Sequence, residues 1–497
     1  MKRLMNVLFF VLLTSGMAYA QQAKYVFYFI GDGMGVNQVN GTEMYLAEQE
    51  GRIGVKPLLF TSFPVASMAT TFSATNSVTD SSAAGTALAT GAKTYNGAIG
   101  MDDNKSVLQS VAERAKKSGK KVGVTTSVSV DHATPAAFYA HQPDRGMYYE
   151  IALDLPKAGF DFYAGGGFLK PTTTADKKEA PSIFPIFEEA GYTVARGLDE
   201  YKSKSAQADK MILIQKEGAE PSCLPYAIDR QEGDLTLAEI TESAISFLTK
   251  GSNKGFFLMV EGGKIDWACH ANDAAATITD TVAMDEAVGK AVEFYNEHPD
   301  ETLILVTGDH ETGGLTIGFA GTDYDTFLAN ISNQKISYAK FDSDYVTAYK
   351  ENKTDFDTVM ADITELFGLQ APNGVAETSN QADSKDVHPE GTDDKGSLIM
   401  TDYEYQKLQT AYEETMSRTG EESEFGQEEY LLYGSYEPLT VTITHILNNK
   451  SGVNFASYAH TGLPVEVFAM GVGQDQFKGY YDNTDIFNKM AEITGVQ

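Results

Sequence analysis

The run Lys24-Tyr25-Val26-Phe27-Tyr28-Phe29-Ile30, closed by Gly31-Asp32-Gly33-Met34-Gly35, decides the fold of this 497-residue chain. Apolar, β-rich runs of this length fit strands buried on both faces, the mark of a parallel sheet. Three more runs repeat the design. Lys121 to Val128 leads towards Asp131-His132-Ala133-Thr134, Phe256 to Val260 into Glu261-Gly262-Gly263-Lys264-Ile265-Asp266, and Thr302 to Thr307 into Gly308-Asp309-His310. Helical patterns lie between them, at Ser106 to Lys117 and Ala271 to Tyr295. Alternating strands and helices predict an α/β three-layer sandwich, with a large, mostly parallel central sheet and helices on both faces. Ligands in such sheets bind outside the carboxyl ends of the strands, and each of these runs ends in carboxylates or histidines.

A fifth segment, Thr79-Asp80-Ser81-Ser82-Ala83-Ala84-Gly85-Thr86-Ala87, begins a run of small residues that ends at Gly91. Asp80 reads as a helix N-cap and Gly91 as its stop. Ser81 then stands at the positive end of a helix, where backbone N–H groups favour an anion. A hydroxyl there is placed to attack a phosphate and to be held as a phosphoserine. A plain serine-rich cap is the simpler reading of this segment alone.

The chain carries eight histidines, four of them beside carboxylates at run ends or in a glycine-containing turn. Asp266 and His270 are spaced i, i+4 and share one helical face. Asp309 and His310 are adjacent. His460 opens the turn His460-Thr461-Gly462, just before the strand-like Pro464 to Val472. Imidazole and carboxylate ligands without cysteine suit zinc. The oxygen-only set Asp32, Thr134 and Glu261 suits magnesium. Two metals roughly 4 Å apart can clamp the attacking and leaving oxygens of an in-line displacement.

The bulk numbers exclude several classes. A formal net charge of −31 repels nucleic acid and anionic lipid, so an anion-processing site must be locally positive through metals or arginine. Met1-Lys2-Arg3, the apolar run Leu4 to Leu13 and Ala18-Tyr19-Ala20 read as a secretory signal peptide over residues 1–20. A periplasmic or secreted protein with no membrane span is expected. Residues 21–497 read as one catalytic domain, with an insertion at about 320–455 that is acidic, tyrosine-rich and irregular, helical only near Tyr403 to Ser417. Within it, 371–397 reads as an exposed loop. Cys223 and Cys269 are too few for a disulfide framework and read as buried thiols, a single bridge being the alternative.

Taken together, Asp32-Gly33-Met34-Gly35, Val78 to Gly91, Ala133-Thr134-Pro135-Ala136-Ala137 with Arg145, Val260-Glu261-Gly262 through Asp266 to His270, Asp309-His310, and His460-Thr461-Gly462 closely resemble the alkaline phosphatase family. The resemblance implies two zinc ions and one magnesium ion per chain. Asp266, His270 and His460 would hold the first zinc, and Asp32, Asp309 and His310 the second. Asp32, Thr134 and Glu261 would hold magnesium. Ser81 would be the nucleophile and Arg145 the phosphate ligand. It implies hydrolysis of small-molecule phosphate monoesters at alkaline pH, and a homodimer.

His132 and Trp267, the only tryptophan, stand where the best-known enteric bacterial member has Asp and Lys, and are expected beside the substrate or the metals. Thr312 stands where some members have another histidine, and Ser82 replaces a common alanine. Two rival readings remain: a phosphodiesterase or nucleotide pyrophosphatase of the same superfamily, which typically uses threonine and lacks this arginine, and a non-catalytic periplasmic metal- or phosphate-binding protein.

Overall fold

The computed structural model describes residues 22–216, 222–372, 395–418 and 426–497. The expected signal peptide and positions 373–394 of the expected exposed loop lie outside the described residues.

The strands are β1 (Tyr25–Gly31), β2 (Val65–Thr70), β3 (Lys121–Thr126), β4 (Phe162–Gly165), β5 (Tyr192–Arg196), β6 (Lys210–Ile214), β7 (Phe256–Gly262), β8 (Thr302–Gly308), β9 (Glu311–Thr312), β10 (Thr316–Ile317), β11 (Val453–Asn454), β12 (His460–Thr461), β13 (Val465–Gly471) and β14 (Tyr480–Asp482). Ten of them form one sheet in the order β14-β2-β13-β8-β1-β7-β3-β4-β6-β5. Only β13 runs against the rest, pairing antiparallel with β8 and β2. β1 sits at the centre with Phe29 opposite Val260 on one side and Val306 on the other. This register brings the carboxyl ends of β1, β7 and β8 level, at Gly31, Gly262 and Gly308.

The apolar run of β1 is explained by two cores. Val26, Tyr28 and Ile30 point into one, and Phe27 and Phe29 into the other. Each fully buried phenylalanine stabilises the fold by about 1.5–3 kcal/mol. Helix Leu237–Thr249 and helix Ala274–Glu297 cover the second face, while Val111–Lys117 and Asn483–Thr494 pack on the first. Among the described residues no helix is long and apolar enough to cross a membrane.

Two expectations are corrected. The helix expected over Ser106 to Lys117 starts only at Val111, because Ser110 forms a capping box with Glu113 and Val107 instead bridges to Met101. The region expected to be irregular is largely helical. It contains Phe356–Phe367, Asp402–Ser417, Gln427–Tyr433 and Pro438–Lys450, besides shorter turns, around its own apolar cluster that includes Phe341, Ile363, Phe367, Leu408 and Leu439. Val359, Met360, Ile363 and Phe367 form the buried stripe of the first of these helices. The acidic, tyrosine-rich outer faces dominate the composition and mask that stripe.

Candidate active site

The turn after β1 carries Asp32, and Gly33 takes φ 71° there. A Cβ on Gly33 would stand 2.8 Å from Thr312 Oγ1 and 2.9 Å from Asp266 Oδ1, so only glycine lets these strand ends converge. Glu261 lies near the end of β7, and the short helix Lys264–His270 that follows presents Asp266 and His270 inward. Asp309 and His310 leave β8, and His460 reaches the site because β12 pairs with β9, setting His460 opposite Thr312. His132 and Thr134 come from the turn and short helix that follow β3.

The structure brings all of these residues to one edge of the sheet. Three groups of ligand atoms cluster, each group within 4.8 Å: Asp266 with His270 and His460, Asp32 with Asp266 and His310, and Asp32 with His132 and Glu261. His270 Nε2 and His460 Nε2 are 3.2 Å apart, and lie 3.4 and 3.6 Å from the two oxygens of Asp266. His310 Nε2 lies 3.2 Å from Asp32 Oδ1 and 3.4 Å from Asp309 Oδ2. Thr134 Oγ1 is 3.4 Å from Asp32 and 3.5 Å from Asp309. His132, expected only beside the metals, joins the Asp32–Glu261 group directly.

Ser81 is the first residue of helix Ser81–Thr90, with Asp80 as N-cap accepting from Ala83 N at 3.0 Å and Gly91 as its left-handed stop. Ser81 Oγ lies 3.2 Å from His310 Nε2. Ser82 is turned away: its hydroxyl donates to Asp80 and accepts from Gly97 N at 3.0 Å. Arg145 Nη1 donates to Asp80 Oδ2 at 3.1 Å, which sets the guanidinium beside the N-terminus of the serine helix. Trp267 meets the His132 ring edge to face, with centroids 5.7 Å apart. Cys223 and Cys269 are both buried and not joined to each other.

The electrostatics call for cations. Burial pushes Asp32, Glu261 and Asp309 well above the usual carboxylate range, and a neighbouring carboxylate adds to this, Asp266 for Asp32 and Asp32 for Glu261 and Asp309. Burial works the same way on Asp266, but the His270, His460 and His310 imidazoles hold it well below that range. Burial pushes His310 down to about 4 and His460 to about 3. It also opposes the charge on His270, which Asp266 and the Tyr458 carbonyl nonetheless raise to about 9. Glu261 Oε1 and His132 Nδ1 are buried without a hydrogen-bond partner. Unpaired buried carboxylates and inward imidazole nitrogens are costly alone and are satisfied by metal ions. The donor set fits: each of the three groups joins imidazole nitrogen to carboxylate oxygen, a combination that suits zinc.

The frame that holds these candidate ligands is not legible in the sequence. His270 Nδ1 donates to the Tyr458 carbonyl at 2.6 Å, and His460 Nδ1 to the Thr79 carbonyl at 2.8 Å. Glu311 accepts from Gln38 Nε2 at 2.7 Å, Leu315 N and Gly314 N at 3.1 Å, and the Thr461 hydroxyl. Backbone carbonyls leave no signal in a sequence, and Gln38 reads as an ordinary helix residue.

The alkaline phosphatase family model matches residues 23–161 and 201–496. Alkaline phosphatase 3 of Bacillus subtilis (strain 168) is 29% identical over 94% of this chain and 87% of its own length. The crystal structure of a cold-active alkaline phosphatase from the psychrophile Shewanella sp. superimposes with a TM-score of 0.74 at 30% identity, covering 95% of this chain and 99% of the other. The alkaline phosphatase of the Antarctic bacterium TAB5 gives 0.62 at 26% identity, covering 96% and 99%, and a histidine-to-aspartate variant of it has magnesium bound. With the sheet, the clustered ligands and the family match in agreement, the chain belongs to the alkaline phosphatase family.

Proposed function

We propose that this enzyme hydrolyses small-molecule phosphate monoesters through a phosphoserine on Ser81. The observation that carries the reading is the position of Ser81 Oγ, at a helix N-terminus and 3.2 Å from His310 Nε2 among converging carboxylates. Asp266, His270 and His460 would hold one zinc ion, and Asp32, Asp309 and His310 a second. Asp32, Thr134 and Glu261 would hold magnesium, with His132 within reach of the same site. When bound, these cations supply Lewis-acid stabilisation of the attacking and leaving oxygens and ease loss of the serine proton towards alkaline pH.

The chain's own groups do the rest. Ser81 Oγ attacks phosphorus as the bond to the ester oxygen breaks and the alcohol departs, protonated. Water then cleaves the Ser81 phosphoester, giving inorganic phosphate and restoring the hydroxyl. The N–H groups at the start of helix Ser81–Thr90 favour the phosphoryl charge. Arg145, steadied by Asp80, offers its planar fork to two non-bridging oxygens. A diester has one such charge fewer, so this arrangement favours monoesters. Trp267 would border the leaving group.

The signal peptide at residues 1–20 would direct the enzyme to the periplasm or outside the cell. Residues 21–497 would form one catalytic domain, with the helical region at about 320–455 inserted beside the site. The family resemblance further suggests a homodimer. The test is turnover of an aryl phosphate monoester against the matching diester near pH 9, with zinc and magnesium supplied. Monoester preference supports the reading. Diester preference moves the chain to the phosphodiesterase branch, and no turnover of either favours a binding protein.

A further inference from the structure

We propose that Thr312 is a positioning residue that couples the two zinc clusters through its single hydroxyl. The inference rests on the reading that those clusters hold cations.

Thr312 is fully buried. Its Oγ1 lies 2.5 Å from Asp266 Oδ1 and 3.2 Å from His310 Nδ1. A threonine hydroxyl has one proton to give and lone pairs to receive. The shorter of the two contacts is to a carboxylate oxygen, which accepts, so the proton goes to Asp266. Towards His310 the same oxygen is then an acceptor, and Nδ1 must carry the hydrogen. That choice of tautomer leaves His310 Nε2 with a bare lone pair, aimed at Asp32, Asp309 and Ser81.

The other two histidines are fixed by the same logic, but by backbone carbonyls, Tyr458 for His270 and Thr79 for His460. His310 alone among the three relies on a side chain that also touches a ligand of the neighbouring cluster. Asp266 belongs to both the His270–His460 group and the His310 group. One hydroxyl therefore orients a carboxylate at one cluster and an imidazole at the other.

The surrounding structure holds this hydroxyl in place. Thr312 N donates to the Gly33 carbonyl at 3.2 Å, and the Thr312 carbonyl accepts from Gln38 Nε2 at 2.8 Å. The strand pairing sets it opposite His460. Gly33 leaves the space, since a Cβ there would collide with Thr312 Oγ1 and Asp266 together. Removing an outer partner of a metal ligand typically costs about 10–100-fold in metal affinity. Here the loss falls on two sites at once.

The experiment compares wild type, Thr312→Val and Thr312→Ser. Each is stripped of metal, checked for folding by circular dichroism, and titrated with zinc against a chromophoric chelator. Wild type should take up two tight zinc equivalents. Thr312→Val, which keeps the shape and loses the hydroxyl, should weaken both by at least about tenfold. Thr312→Ser should return both to within a few-fold of wild type. Weakening of a single site, or wild-type affinity in Thr312→Val, overturns the coupling while leaving the zinc reading intact. Failure of Thr312→Ser to bind zinc better than Thr312→Val also overturns it. Wild type that binds no zinc overturns the proposal and the reading beneath it.

Discussion

His270 Nε2 and His460 Nε2 face each other at 3.2 Å, each ring anchored through Nδ1 to a backbone carbonyl. With both outer nitrogens committed, a proton or a cation must occupy the space between the inner pair and Asp266. A cation suits three converging lone-pair donors better than one shared proton. Chelation should therefore abolish activity and also lower the unfolding temperature, because the buried carboxylates lose their counter-charge. Re-addition of zinc should restore both. Unchanged thermal stability after complete metal removal would contradict the assignment.

Ser81→Ala should cut turnover by at least about a thousandfold while zinc content holds. Ser82→Ala should cost far less in turnover, since Ser82 is spent on Asp80 and Gly97 N. Steady-state kinetics with metal analysis on both variants checks this.

Arg145→Ala removes the fork that faces the serine helix and should raise KM for a monoester by roughly ten- to a hundredfold, with zinc stoichiometry unchanged. Loss of zinc in that variant would mean that the arginine braces the metal ligands instead. Inhibition by inorganic phosphate should weaken in parallel with KM.

Glu466 offers a pH test away from the candidate metal clusters. Burial, then the like charge of Glu43, pushes its carboxyl up to about 7, and its Oε2 accepts no hydrogen bond. Between the ordinary glutamate value and 7 the folded state holds a proton that the unfolded state has lost. Stability from this group is therefore present at low pH and lost as pH rises through 7. Glu466→Gln should match wild type near pH 5 and exceed it at pH 8 by roughly 1–2 kcal/mol, after allowance for partial exposure. Urea unfolding of the metal-loaded proteins at the two pH values measures the gap.

Much of this was legible in the sequence because parallel strands buried on both faces are written as unbroken apolar runs. Phe27 and Phe29 serve one core while Val26, Tyr28 and Ile30 serve the other, so no polar residue interrupts β1. The candidate ligands stand out because they lie at the ends of those runs. The helical insertion was not legible, since Val359, Met360 and Ile363 are diluted by acidic outer faces. The family resemblance put His132 near the magnesium site, but neither its direct membership of the Asp32–Glu261 group nor the bond from Thr312 to Asp266 was legible. Both depend on the register of distant segments, which a linear pattern does not carry.

The most direct test of the central claim is to quench the enzyme with excess inorganic phosphate or monoester at mildly acidic pH, then map phosphorylated peptides by mass spectrometry. The account predicts covalent phosphate on Ser81 in wild type and none in Ser81→Ala. Phosphate on Thr79 or Ser82 instead, or undiminished labelling in Ser81→Ala, would contradict it.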